Sequence, residues 1–187
     1  MKRFGFTCAF VLAAFAAVRL LAGDAAPATA VPPGELTFTT HNTVYNAEGS
    51  FSSWKFTKVD IPGGDITKGV VEIEVDLASV SEKTAKLAAH LRTADFFDVA
   101  TFPKATIVIS HPKAAGDKRY EAMAEVDLHG SKGKCLVAFD VVSEKPLTIK
   151  GTATLDRTAF KVGAPYDAAD KYSPLADVVI GLSAKLQ

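Results

Sequence analysis

Gly69-Val70-Val71-Glu72-Ile73-Glu74-Val75-Asp76-Leu77 decides the fold class. Val71, Ile73, Val75 and Leu77 alternate with Glu72, Glu74 and Asp76. Successive side chains of a strand point to opposite faces, so this is a strand with one buried face and one in water. The same period recurs in both directions. Upstream, Leu36 and Phe38 open a strand, and Tyr45, Ala47, Gly49 and Phe51 share one face of the next, opposite Asn46, Glu48 and Ser50. Residues 56–61 form a third, ended by the turn composition Pro62-Gly63-Gly64-Asp65. Downstream, residues 105–110, 120–128, 133–142, 147–155 and 178–186 are apolar at alternate positions, with turns at Gly116-Asp117, His129-Gly130 and Lys145-Pro146. The period changes only over residues 79–91. There Ser81, Thr84 and Ala85 read as a helix start, and Leu87 and Leu91 lie four apart on one side.

About eight one-sided strands joined by short turns imply an antiparallel sheet. A closed barrel and a two-sheet sandwich both satisfy the alternation, and closure removes the edges that would otherwise need protection. The inward faces mix large residues with small ones: Ala47 and Gly49, Ala122 and Ala124, Gly151 and Ala153. In an eight-stranded barrel, small inward residues either fit the taper or leave room for one small ligand.

Residues 1–30 read as a cleaved signal peptide. Lys2 and Arg3 precede a run from Phe4 to Val18 that is too short to span a bilayer, and Ala28-Thr29-Ala30 supplies a cleavage site, with Gly23 as a second choice. Asp24 stands where a lipoprotein would need cysteine. Pro32-Pro33-Gly34 ends a spacer over residues 31–34, and residues 35–187 form the domain, expected in the periplasm. Cys8 leaves with the leader, and Cys135 alone permits no internal disulfide. Removing Lys2, Arg3, Arg19 and Asp24 leaves 18 basic and 20 acidic residues, a balance that disfavours nucleic acid and anionic membrane surfaces.

No His-Glu-x-x-His, Gly-x-Ser-x-Gly, phosphate-binding glycine loop or Cys-x-x-Cys occurs. His41, His90, His111 and His129 are scattered without ligand spacing, and Glu72, Glu74 and Asp76 lie on the solvent face of their strand. These features predict no metal site, no cofactor and no enzyme.

Leu91-Arg92-Thr93-Ala94-Asp95-Phe96-Phe97-Asp98-Val99 and Phe102-Pro103-Lys104-Ala105 gather three rings where the helix hands over to the sheet, a common place to close or line an apolar cavity. Together with Val75-Asp76-Leu77-Ala78-Ser79-Val80, Leu128-His129-Gly130, Leu155-Asp156-Arg157-Thr158-Ala159-Phe160 and Ala176-Asp177-Val178-Val179-Ile180, in that order, this chain resembles the YceI-like family of secreted, lipocalin-like lipid-binding proteins. It departs from the family at Lys86-Leu87-Ala88-Ala89, at Ser131-Lys132-Gly133 and at Lys161. The resemblance implies an eight-stranded antiparallel lipocalin-like barrel with one short inserted helix. It also implies an internal tunnel for a polyisoprenoid or similar long-chain lipid, an isoprenoid quinone among the candidates, held for transport, storage or sequestration.

The candidate ligand-binding residues are Tyr45, Phe51, Trp54, Phe96, Phe97, Phe102 and Phe139, each weighed against plain core packing. Arg157 is either a headgroup contact or, the favoured reading, an ion-pair partner of Asp95 or Asp98. Two rivals remain: an enzyme acting on a lipid, for which Tyr45, Tyr120 and Cys135 are the inward polar groups, and a solid-core structural or adhesion module. A homodimer is compatible with the sequence, but no long exposed apolar stripe demands one.

Overall fold

The computed structural model describes residues 32–42, 44, 46–166 and 174–186. The leader expected over residues 1–30 lies outside them. The strands among these residues are β1 (Gly34–His41), β2 (Asn46–Phe51), β3 (Trp54–Asp60), β4 (Val70–Asp76), β5 (Val80–Glu82), β6 (Lys104–Ser110), β7 (Lys113–Ala114), β8 (Arg119–Leu128), β9 (Ser131–Glu144), β10 (Leu147–Asp156) and β11 (Asp177–Leu186). All belong to one antiparallel sheet, with a single α-helix, α1 (Ala85–Leu91), between β5 and β6.

The eleven strands reduce to the expected eight because two ribbons are bent. β2 runs into β3 through Ser52-Ser53, and β4 runs into β5 through the 3-10 turn Leu77–Ser79. β3 pairs with β4 and β2 with β5, so the two ribbons lie side by side along their whole length. The bends are stitched together: the Ser52 N–H donates to Ser79 O (3.3 Å) and the Asp76 N–H to Ser53 O (3.0 Å). The Ser79 hydroxyl accepts from the Ser53 N–H (3.1 Å) and donates to Asp76 O (2.6 Å). With each ribbon counted once and the two-residue β7 set aside as an appendage of β8, eight staves follow one another. β11 pairs back to β1, which closes the ring. This is the lipocalin-like barrel, not a sandwich.

The helix start predicted at Ser81 is corrected. Ser81 belongs to β5, where it pairs with Ser50 while Val80 pairs with Phe51. The helix begins at Ala85, and Thr84 caps it by accepting a hydrogen bond from the Leu87 N–H (3.2 Å). Pairing with β2 outweighs the weak helical signal of residues 79–83.

Inward alternation builds the core as expected. Ile73, Val75, Leu77, Ala124, Val126, Leu128 and Leu155 are all buried. Two inward glycines make room for rings. A Cβ at Gly49 would lie 2.3 Å from Cζ of Phe38, and one at Gly151 would lie 2.7 Å from Cβ of Phe139. These small residues follow the packing of the wall, and a cavity remains inside it.

Candidate functional site: a hydrocarbon-lined barrel cavity

The cavity reaches from one end of the barrel to the other. Its volume is about 220 Å³. At the end away from the helix it is lined by Ile61, Ile66, Pro112, Leu147 and Leu186, and midway by Phe56, Val71, Ile107, Phe139 and Ile149. At the helix end the lining is Leu91, Phe96, Phe97, Thr40, Arg157 and Pro174. Thr40, Thr152, Cys135 and Arg157 are the only lining residues with a polar or thiol side chain among those described. Such a cavity has too few polar partners to hold ordered water and favours an apolar guest.

Local structure aims the two adjacent rings after the helix. The Arg92 guanidinium donates through Nε to Ala78 O (2.7 Å) and through Nη2 to Val80 O, tying the segment after α1 to the β4–β5 bend. The Phe97 N–H donates to Leu91 O (3.1 Å) and the Asp98 N–H to Thr93 O (2.8 Å), with Asp98 in the left-handed region at φ 43°. Phe97 then meets Phe51 edge-on at 5.8 Å, and Phe51 packs against Phe38 at 5.7 Å. Phe96 stacks on Tyr166 at 5.3 Å and meets His90 at 5.0 Å, while His90 Nε2 and the Tyr166 hydroxyl share a hydrogen bond of 3.0 Å.

The structure divides the candidate rings. Phe51, Phe96, Phe97 and Phe139 line the cavity, and Phe139 stacks on Tyr120 at 5.5 Å. Trp54 is off the lining. It is 3% exposed, in the wall, edge-on to Phe56 at 5.5 Å. Phe102 is also off the lining, packed on His129 at 4.8 Å and over Gly130, where a Cβ would come within 2.7 Å of its ring. Tyr45 lies outside the described residues.

Arg157 is buried in the lining, but its described hydrogen bonds do not run to Asp95 or Asp98. Nη1 donates to Val162 O (2.8 Å) and Gly163 O (3.2 Å), Nη2 to Pro174 O (2.8 Å) and Nε to Leu175 O (3.1 Å). The expected ion pair is thus replaced by a clamp on carbonyls. A planar fork suits this role, because carbonyls that converge at a loop junction need donors in several directions. Cys135 faces the same interior, where burial pushes its thiol up. On the outer wall Glu74 bridges Lys104 (3.0 Å) and Lys55 (3.3 Å). The hydrogen bond from Lys104 is the main cause holding that carboxyl below its ordinary range. Among the described residues no group of three or more His, Cys, Asp or Glu is placed to hold a metal, and no helix is long and apolar enough to cross a membrane.

The model of the YceI-like domain matches residues 32–186 of this chain. The chain belongs to the YceI-like family. Curated relatives include UPF0312 proteins of Pseudomonas savastanoi pv. phaseolicola, 26% identical over 63% of this chain, and of Pseudomonas putida, 27% identical over 60%. The matched regions cover 64% and 48% of those relatives. Among solved structures, BcnA of Burkholderia cenocepacia superposes with TM-score 0.74 at 21% identity, over 82% of this chain and 96% of its own. A polyisoprenoid binding domain from Saccharophagus degradans superposes with TM-score 0.58 at 17% identity, over 80% and 91%. The YCEI protein of Campylobacter jejuni gives TM-score 0.63 at 14% identity, over 79% and 89%. These likenesses concern the fold.

Two parts of this YceI-like cavity escaped the sequence reading. Residues 62–65 have turn composition, yet Ile61 and Ile66 on either side of them turn inward. Branched apolar residues flanking a glycine turn were the available signal. Thr40 continues the inward series Leu36, Phe38, Thr40, and following the alternation one step further would have found it.

Proposed function

We propose that this YceI-like chain is a non-enzymatic carrier or sequestering protein that holds one long apolar lipid of the polyisoprenoid type inside its barrel. One observation carries this: a closed wall of paired strands surrounds an end-to-end cavity lined almost wholly by hydrocarbon. The fold shared with a polyisoprenoid binding domain supports the choice of lipid class. The energetics agree. Burying each methylene is worth about 0.8 kcal/mol. Roughly ten to fifteen buried carbons therefore offset the cost of association and reach micromolar affinity, about −8 kcal/mol. An isoprenoid quinone fits the proposal as well as a prenyl alcohol does. The leader-like residues 1–30 support work in the periplasm after export.

The test is organic extraction and mass spectrometry of protein purified without detergent from a bacterium that makes prenyl lipids. A stoichiometric, chemically unmodified prenyl chain is expected. Protein that carries none, and takes up none when prenyl lipid is added, would overturn the proposal. Recovery of a converted lipid would favour the enzyme.

A further inference from the structure

We infer that the Thr40 hydroxyl anchors the ligand's polar head, an uncharged oxygen, so that the lipid lies head toward the helix end and tail toward Ile61 and Leu147. The inference rests on the carrier role proposed above and adds an orientation and a head chemistry to it.

Thr40 lies near the end of β1, paired with Val178 of β11 and Ala47 of β2, and it lines the cavity. The two residues before it in the inward series, Leu36 and Phe38, are hydrocarbon. Its Oγ1 is sealed from solvent and has no hydrogen-bond partner among the described residues. Buried polar atoms are nearly always satisfied, and an orphan calls for a reason. Packing supplies none, since valine has the same shape and would leave nothing unsatisfied. A hydroxyl that donates and accepts, one χ1 rotation from its methyl, matches an alcohol, carbonyl or ether oxygen arriving from the cavity.

The surroundings select a neutral head. The described hydrogen bonds of Arg157, the charged residue of this lining, already run to the carbonyls of Val162, Gly163, Pro174 and Leu175. They also fix the direction. At the opposite end Ile61, Ile66, Pro112 and Leu147 offer no polar side chain, which suits a tail. The other buried orphan among the described residues, the Trp54 indole N–H, belongs to a ring off the lining and plays no part.

The test compares two probes, geranylgeraniol and its deoxy hydrocarbon, presented in the same detergent to the full chain and to Thr40→Val and Thr40→Ser variants. Binding is read by displacement of a fluorescent polyene. Thr40→Val is expected to lose about five- to tenfold in affinity for the alcohol, the worth of one neutral hydrogen bond, and nothing for the hydrocarbon. Thr40→Ser should retain alcohol binding, and unliganded Thr40→Val should melt no lower than the parent. An alcohol-to-hydrocarbon preference unchanged in Thr40→Val would overturn the anchor while leaving the carrier role intact. Equal losses for both probes with a lowered melting temperature would overturn it too, by making Thr40 a structural residue. If the parent chain binds neither probe, the carrier role itself fails and the anchor with it.

Discussion

The two ends of the barrel are closed in different ways. At the helix end, closure is tertiary. Arg92 reaches back to the β4–β5 bend, Arg157 clamps carbonyls of Val162 and Pro174, and Phe96 and Phe97 pack onto residues distant in sequence. At the opposite end, closure is local. Two short 3-10 turns, Pro62–Gly64 and Ile66–Lys68, bury no residue, and the Asp65 side chain accepts from the N–H and hydroxyl of Thr67 two positions on. Long-range bonds to buried groups are costly to lose, whereas local bonds in water are nearly free to exchange. The helix end should therefore be the stable plug and the 61–69 end the part that opens first.

The largest effect expected from this contrast is at Arg157. Arg157→Ala strands buried carbonyls and should cost about 3 kcal/mol or more in denaturant unfolding. Arg157→Lys should recover only part, since an ammonium cannot fork to all of them. If Asp65→Ala were equally damaging, the contrast between the ends would collapse.

Next come the rings at the helix end, where lining and wall should separate. Phe97→Asp places a carboxylate in the hydrocarbon lining and should reduce bound lipid at least tenfold at neutral pH, as measured by extraction. Phe102→Ala should cost about 2 to 3 kcal/mol of stability by emptying the contact over Gly130, yet leave lipid affinity unchanged. Reversed outcomes would mean that Phe102, not Phe97, faces the guest.

A smaller effect concerns access. Cys135 lies in the lining and its thiol is held up by burial, so an apolar thiol reagent should label it slowly near neutrality and faster as pH rises. Bound lipid should protect it. Labelling as fast as in denatured protein, or unaffected by lipid, would show that the cavity stands open to water.

The smallest effect is on the outer wall. Lys104 and Lys55 depress the Glu74 carboxyl, so its contribution is present above the unfolded carboxylate range and is lost as pH falls through the lowered folded value. Glu74→Gln should lower neutral stability slightly, flatten the acid limb of stability against pH by the same amount, and leave lipid binding alone. A steeper acid limb would contradict the sign.

Alternation made the barrel legible. From Val71 to Leu186, the residues assigned to the inward face are those that line the cavity or fill the core. The bends at Ser52-Ser53 and Leu77–Ser79 were hidden because neither carries a glycine or proline, and only pairing across the ribbon reveals a turn there. Within the candidate site, aromatic identity marked burial but could not say which side of the wall a ring faces. Phe97 and Phe102 lie five residues apart, yet one meets the cavity and the other meets Gly130, because Asp98 reverses the chain between them. For Arg157 the sequence offered nearby carboxylates, while the clamp depends on carbonyls whose direction no side-chain pattern records.

The missing side chain at Gly49 has a mechanical consequence. A methyl group there would press into Phe38, behind Phe38 stands Phe51, and behind Phe51 stands Phe97 at the plug. The three rings form one unbroken line of contact from the stave to the stopper, so a side chain added at residue 49 should be felt as far away as the helix end.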